Sequence, residues 1–261
     1  MPVARALLVD VFPVVQDLAP GVLTRGRPSV ACICTTRDKY LVFDGDATRP
    51  ACVVEFGDKA RLGREHAILR ELHGRCPGIV PRPLAFAPWT EGVAVHVVEG
   101  LAGLPWFRLA ETLPTPADWL SLLDRAVAVM QRLHAAISAV PGWAGTVDVG
   151  LALTDQVRQA RGHGTLAPLL LGQVEVCANR LGGLPPVPAV WQHGDFSLNN
   201  LMVSPDSMTV IDFEEFGLTR MPLHDALGLA LSFQLSQDGR CPIGLAECVD
   251  RCLRGTPSFA G

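Results

Sequence analysis

Asp195, Asn200 and Asp212 fall within one short segment of the chain, and their types point to chemistry before any fold is considered. The segment, residues 191–217, reads WQHGDFSLNNLMVSPDSMTVIDFEEFG. Leu201 to Val203 and Met208 to Phe213 are two short apolar runs joined by the turn sequence Ser204-Pro205-Asp206-Ser207, which predicts a β-hairpin. Asn200 precedes the first strand and Asp212 stands near the end of the second, so antiparallel pairing brings both side chains to one end of the hairpin. Asp195, on a polar loop just before Asn200, can join them there. Two carboxylates and a carboxamide converging on one spot are hard oxygen ligands, a set that suits Mg²⁺ bound together with substrate phosphates.

Such a cluster works only if other elements hold it. The first ~100 residues read mainly as strands. Val30 to Thr35, Lys39 to Phe43 and Ala51 to Phe56 are apolar or β-branched runs separated by the turn-like Thr36-Arg37-Asp38 and Asp44-Gly45-Asp46, which predicts a three-stranded antiparallel meander. A helix follows from about Lys59 to His73, with Leu62, Leu69 and Leu72 on one stripe and Glu65 on the same stripe. That carboxylate either lies at the helix edge in water or points inward and needs a cation. Pro81-Arg82-Pro83 punctuates the chain, and Val93 to Val98 reads as a further strand ending in Glu99-Gly100, the expected hinge between two lobes. Beyond it the pattern turns helical. Thr115 caps a helix from Pro116 to Ile137, and a weaker helix spans about Asp155 to Arg180 with a break near Gly162 to Gly164. Pro185 to Pro188 forces extended chain, and apolar helices are expected at Asp225 to Leu235 and Ile243 to Leu253.

Composition narrows the partners. The chain has 261 residues, 26 acidic against 22 basic, for a net charge of −4, and no Lys/Arg cluster fit to neutralise a run of phosphates, so nucleic acid is not expected as a partner. At 49% hydrophobic and 18% charged it can bury a sizeable core. No stretch reaches the ~18 uncharged apolar residues of a membrane span, because Asp10 and Gln16 interrupt one candidate and Gln234 closes another. Arg5 precedes a short apolar run, but Asp10 and Pro13 spoil it as a signal peptide, so a cytoplasmic location is expected. The 8 cysteines form no C-x-x-C pair and read as buried thiols; Cys248 and Cys252 share a helical face but would need two more ligands to hold zinc. Of the 22 basic residues only Lys39 and Lys59 are lysines.

The pattern His193-x-Asp195-x-x-x-x-Asn200, followed after the hairpin by Ile211-Asp212-Phe213-Glu214, resembles the catalytic loop and metal-binding segment of the aminoglycoside phosphotransferase and choline kinase group, relatives of the protein kinases. The strand meander, the Glu65 helix, the linker, the long helix and a late Leu223-His224-Asp225 follow in the family's order. The resemblance implies an α+β, two-lobed kinase-like fold. Residues 1–100 would form an antiparallel-sheet nucleotide lobe, and residues 101–261 a mainly helical lobe carrying the catalytic hairpin. It implies ATP or GTP with Mg²⁺ as cofactors, and a small-molecule hydroxyl as acceptor, on an aminoglycoside, sugar or amino alcohol; oligomeric state stays open. Carried over by residue, Asp195 resembles the catalytic base, and Asn200 and Asp212 the Mg²⁺ ligands. His193 resembles the residue that braces the catalytic loop, and Asp225 the aspartate that anchors it. Glu214 is either a group supporting the metal site or a solvated carboxylate. Glu65, Ser29, Lys59 and the hinge residue Glu99 are the nucleotide-site candidates.

The sequence departs from the family at the phosphate clamp. A lysine or arginine is expected on the third strand to hold phosphates and pair with Glu65, yet the strand reads Ala51-Cys52-Val53-Val54-Glu55-Phe56, which puts Glu55 there. A carboxylate at that point repels both phosphates and Glu65. Lys59, Lys39, Arg61 and Arg64 lie near in sequence, but none stands at the expected position and each reads as a surface cation. Gly26-Arg27-Pro28-Ser29 carries a single glycine, so no glycine-rich cradle is present, and Ser29 is left as a phosphate donor. The helices that usually follow in the family are not evident, which leaves the acceptor site open or marks a truncated form. Two readings follow: a small-molecule kinase with a displaced cation, or a weak or inactive kinase-like protein that binds nucleotide or a partner.

Overall fold

Alternation along residues 52–58 organises the first lobe. On strand β3 (Cys52–Asp58), Cys52, Val54 and Phe56 are buried in one apolar cluster, while Val53 and Glu55 point to the opposite face. The computed structural model describes residues 11–24, 27–34, 38–109, 112–163 and 167–254. Gly26 of the phosphate-loop segment, Thr35 to Arg37 of the first turn, Gly164 of the helix break, and Arg5 and Asp10 lie outside the described residues. Strand β3 is central in a five-stranded antiparallel sheet ordered β1 (Ser29–Cys34), β2 (Asp38–Phe43), β3, β5 (Val93–Glu99) and β4 (Pro83–Thr90). A helix over 11–18, α1, lays Val11, Val14 and Val15 on the Cys52 face with Tyr40, Val42 and Val97. Helix α2 (Lys59–Arg75) covers the other face, where its His66 stacks on Phe86 and meets His96 edge-on.

The meander is therefore wider than expected. Strand β4 escapes the sequence pattern because Pro83 and Pro88 remove ladder donors; it survives as an edge strand, and its register shifts fall at those two prolines. Asp58 caps α2 by accepting from the Arg61 N–H at 2.8 Å. At the end of β5 the chain passes Pro50 so closely that a Cβ on Gly100 would lie 1.8 Å from the Pro50 carbonyl oxygen, which only glycine permits.

After strand β6 (Leu104–Pro105) and the short helix α3 (Trp106–Leu109), helix α4 (Pro116–Ser138) begins at a capping box between Thr115 and Asp118. Its Trp119, Leu123 and Met130 pack with Leu69 and Leu72 of α2, with Leu201 and Val210, and with Phe233, so α2 is part of the helical lobe's core. Strand β7 (Ala144–Val147) pairs with β8 (Val187–Val190). Between them the expected helix around residues 155–180 is two helices, α5 (Val149–His163) and α6 (Pro168–Leu181). The chain continues as a 3₁₀ turn (Leu198–Asn200), strands β9 (Leu201–Val203) and β10 (Met208–Val210), and helices α7 (His224–Ser236) and α8 (Leu245–Arg254). The second hairpin strand stops at Val210, earlier than the apolar run that extends to Phe213. No helix among the described residues is long and apolar enough to cross a membrane.

Candidate active site

The hairpin brings its polar residues to one end. Val203 pairs with Met208 at the turn and Leu201 with Val210 at the open end, where the Ile211 N–H donates to the Asn200 carbonyl at 2.9 Å. Asn200 and Asp212 thus leave the hairpin side by side. The Asn200 amide nitrogen donates to both the Asp195 carbonyl (2.9 Å) and the Asp195 carboxylate Oδ2 (2.8 Å), which locks the two side chains together. Asp195 is exposed to solvent and Asn200 half-buried. Asp212 takes a left-handed backbone (φ 64°), uncommon for a residue other than glycine, at the point where the chain leaves β10.

Beneath these residues lies a buried scaffold. His193 is fully buried, its ring packed edge-on against Phe213 (4.7 Å between centroids), and its Nε2 donates to the Ile211 carbonyl at 3.2 Å. Burial holds its imidazole below the usual range, although Asp225 and Asp195 pull the other way, so it remains a neutral brace. Asp225, in the first turn of α7, accepts from the His193 N–H (2.8 Å), the Gly194 N–H (3.0 Å) and His134 Nε2 (2.8 Å). Gly194 has φ 92°, and a Cβ there would meet the Glu215 carbonyl oxygen at 2.6 Å. Glu214 is half-buried, and its carbonyl faces Arg64 Nη1 at 3.5 Å. Arg64 Nη2 also donates to the Phe216 carbonyl, fastening α2 to the segment after Asp212.

On the sheet side, Glu55 and Glu65 are both buried. The cations near them are not surface groups, contrary to their reading from sequence. Lys39, directly opposite Glu55 in the β2–β3 register, places Nζ 3.7 Å from Glu55 Oε2. Arg61 donates to Glu55 through Nη2 and holds Nη1 3.5 Å from Glu65 Oε2. Burial, then the charges of Glu55 and Asp212, push the Glu65 carboxyl up to about 7 against the opposing pull of Lys39 and Arg61, so Glu65 and Asp212 sense one another across the lobes.

The other candidates are spread wider. Ser29 is exposed at the start of β1, and Lys59 is exposed at the first residue of α2 with its backbone N–H on Gly92 at the far end of the sheet. The Glu99 carboxylate accepts from the Arg82 N–H at 2.7 Å. His96 was not marked by the sequence: it sits opposite Glu55 in β5, with Nε2 buried and unpartnered. Burial first, then His66, Arg61 and Lys39, push its imidazole down to about 3 from 6.5. Between those values the unfolded chain binds more protons than the folded one, so stability rises with pH across that window and is lost as pH falls below 6.5. His96→Phe, which keeps a ring beside Phe86 and His66, should flatten this acid limb. The loss in unfolding free energy on going from pH 7 to pH 5, measured in urea, should shrink by about 2 kcal/mol.

Comparison with known proteins places this geometry. Residues 36–247 match the model of the phosphotransferase enzyme family. No curated protein sequence matches the chain. Among solved structures, it is similar to the GDP complex of wild-type aminoglycoside 2'-phosphotransferase-IIIa (13% identity, TM-score 0.59, covering 94% of this chain and 86% of the other). It is also similar to choline kinase from Cryptosporidium parvum Iowa II (13%, 0.56, 87% and 69%). A glucosamine kinase matches at 18% identity and TM-score 0.52 over 87% of this chain, which spans 61% of that kinase. At these identities the likeness is one of fold, the two-lobed kinase-like arrangement of an antiparallel sheet over a helical lobe. The family rests on the match across residues 36–247: the chain belongs to the phosphotransferase enzyme family.

Proposed function

We propose that the chain transfers the γ-phosphoryl group of ATP, or of GTP, to a hydroxyl of a small molecule, in the class of aminoglycosides, sugars and amino alcohols. The observation that carries this reading is the coupling of Asp195 to Asn200 at the end of the hairpin from which Asp212 emerges. Solved relatives in complex with GDP and kanamycin, and with glucosamine, ADP and phosphate, support the substrate classes. A cytoplasmic location and a lobe boundary near residue 100 belong to the same proposal.

The donor set fits Mg²⁺. The Asn200 amide nitrogen is engaged by Asp195, which leaves its carbonyl oxygen as the atom available to a cation, and Asp212, at the same end of the hairpin, brings a carboxylate of the hard-oxygen type that Mg²⁺ takes. Asn200 and Asp212 would hold the ion, which would supply positive charge against that of the nucleotide phosphates. Asp195, exposed and fixed by Asn200, orients the acceptor hydroxyl and takes its proton. The acceptor oxygen forms a bond to the γ-phosphorus as the bond to the bridging oxygen breaks, and the nucleoside diphosphate leaves with that electron pair. His193 transfers no proton; it supports the backbone leading into Asp212.

An inactive member would follow from a bare carboxylate in the phosphate site, and Glu55 is flanked by Lys39 and Arg61. The test is an ATP-consumption assay over a panel of hydroxylated acceptors. Asp212→Ala is expected to lower turnover by about 10²–10³, the scale of losing one electrostatic support of the transition state. Turnover that survives both Asp212→Ala and Asp195→Ala overturns the proposal.

A further inference from the structure

Glu55 occupies the strand position where a phosphate-holding cation is expected, and the structure surrounds it with positive charge. Two cations, Lys39 and Arg61, meet its single carboxylate. They are not equivalent. Arg61 is hydrogen-bonded to Glu55 through Nη2, while its Nη1, 3.5 Å from Glu65 Oε2 without a hydrogen bond, is buried from solvent; Gly57 leaves room for it, since a Cβ there would stand 2.7 Å from Arg61 Nη2. Lys39 has one ion-pair partner among the described residues, at 3.7 Å, and its side chain is 30% exposed against 8% for Glu55, so it is in part open to solvent.

Position favours Lys39 as well. β2 and β3 are adjacent, and Lys39 lies directly across from Glu55, on the sheet face that α2 and Glu65 cover. An ammonium beside Glu55 is therefore level with the place a cation borne by residue 55 would reach. Lys59, the chain's other lysine, stands past the end of β3, four residues beyond Glu55. At roughly 3.3 Å per residue along a strand that is about 10 Å or more from the level of Glu55.

We propose that Lys39 is the phosphate-binding cation of the nucleotide site, supplied from the neighbouring strand, with Glu55 acting as its holder. Glu55 is then not a defect in the clamp. It pairs laterally with Lys39 and with Arg61, and Arg61 carries the connection on to Glu65, so the link between sheet and α2 runs through two carboxylates and an arginine in place of one lysine–glutamate pair. The ammonium is paired with Glu55 by charge at 3.7 Å and has three N–H donors to offer phosphate oxygens.

This assignment rests on the phosphotransferase reading, and the experiment separates the two. Steady-state ATP turnover and calorimetric binding of ADP and of adenosine are measured for the wild type and for Lys39→Met. A second variant, Lys39→Glu with Glu55→Lys, keeps the ion pair but returns the cation to β3. Lys39→Met is expected to lose about 10²–10³ in kcat/KM for ATP and most of the preference for ADP over adenosine, an effect that a purely structural ion pair would not produce. The swapped variant is expected to recover at least about ten-fold of that loss. Wild-type protein with neither turnover nor a preference for ADP overturns both the function and this assignment. An active wild type whose kinetics and ADP preference are unchanged in Lys39→Met overturns the assignment alone, as does a folded swapped variant no better than Lys39→Met, or a loss that follows Lys59→Met instead.

Discussion

Asp195→Asn is expected to lower kcat by about 10²–10⁴-fold, the range of a lost general base, while ADP affinity stays within about two-fold of wild type. The substitution is chosen for what it preserves. Asn200 donates to the Asp195 carbonyl and to Oδ2 of its carboxylate, and an asparagine at 195 still offers a side-chain carbonyl oxygen to the same donor. The loop and the orientation of the Asn200 oxygen are thereby retained, and only the basicity needed to take a proton from the acceptor is removed. Single-turnover kinetics with saturating nucleotide isolate the chemical step. A rate within about ten-fold of wild type would remove Asp195 from the proton path and leave it a positioning role.

Asp225→Ala should be the most damaging single change to stability. It strips the buried partner from three donors at once, the His193 and Gly194 N–H groups and His134 Nε2, in a site with no access to water. Removing one member of such a buried, hydrogen-bonded charge system costs about 3–5 kcal/mol, a large share of the ~5–15 kcal/mol that holds a typical domain. Urea unfolding at pH 7 measures it, and a shift below about 1 kcal/mol would show that the loop has other support. The interaction also has a pH signature. Burial works to raise the Asp225 carboxyl, but the hydrogen bond and charge of His134, with His193, outweigh it and hold the group below 3.8. Its contribution is present above that value and is lost as pH falls through the lower folded-state value, an acid sensitivity that Asp225→Ala should lack.

What the sequence carried well was local. The turn Ser204 to Ser207 sets the hairpin, and the hairpin alone puts Asn200 and Asp212 at one end, because both constraints lie within a few residues of each other. Helix α4 was legible for the same reason, from its capping residue and its period. The family's residue order supplied the candidate roles of Asp195 and Asp225, which spacing alone does not assign. Strand β4 was hidden by its prolines, whose cost depends on being at the sheet's edge, a property of the assembled sheet. The pairing of Lys39 with Glu55 was hidden too, since residues 44–51 between the strands are too many for a tight turn to fix the register. Arg64 reads from sequence only as a surface cation, because its partners are backbone carbonyls of residues that any side chain could occupy.

Those carbonyls, on Glu214 and Phe216, give the molecule a second seam. The chain leaves the sheet past Gly100, and Arg64, on the helix that covers the sheet, is tied to the segment that follows Asp212. Leu69 and Leu72 seat that same helix in the helical core, so α2 is the element that joins the sheet face it covers to residues 214–216. Loss of the Arg64 side chain would therefore loosen the stretch after Asp212 and leave the Asp195–Asn200 contact as it is, since the two are tied down by different elements.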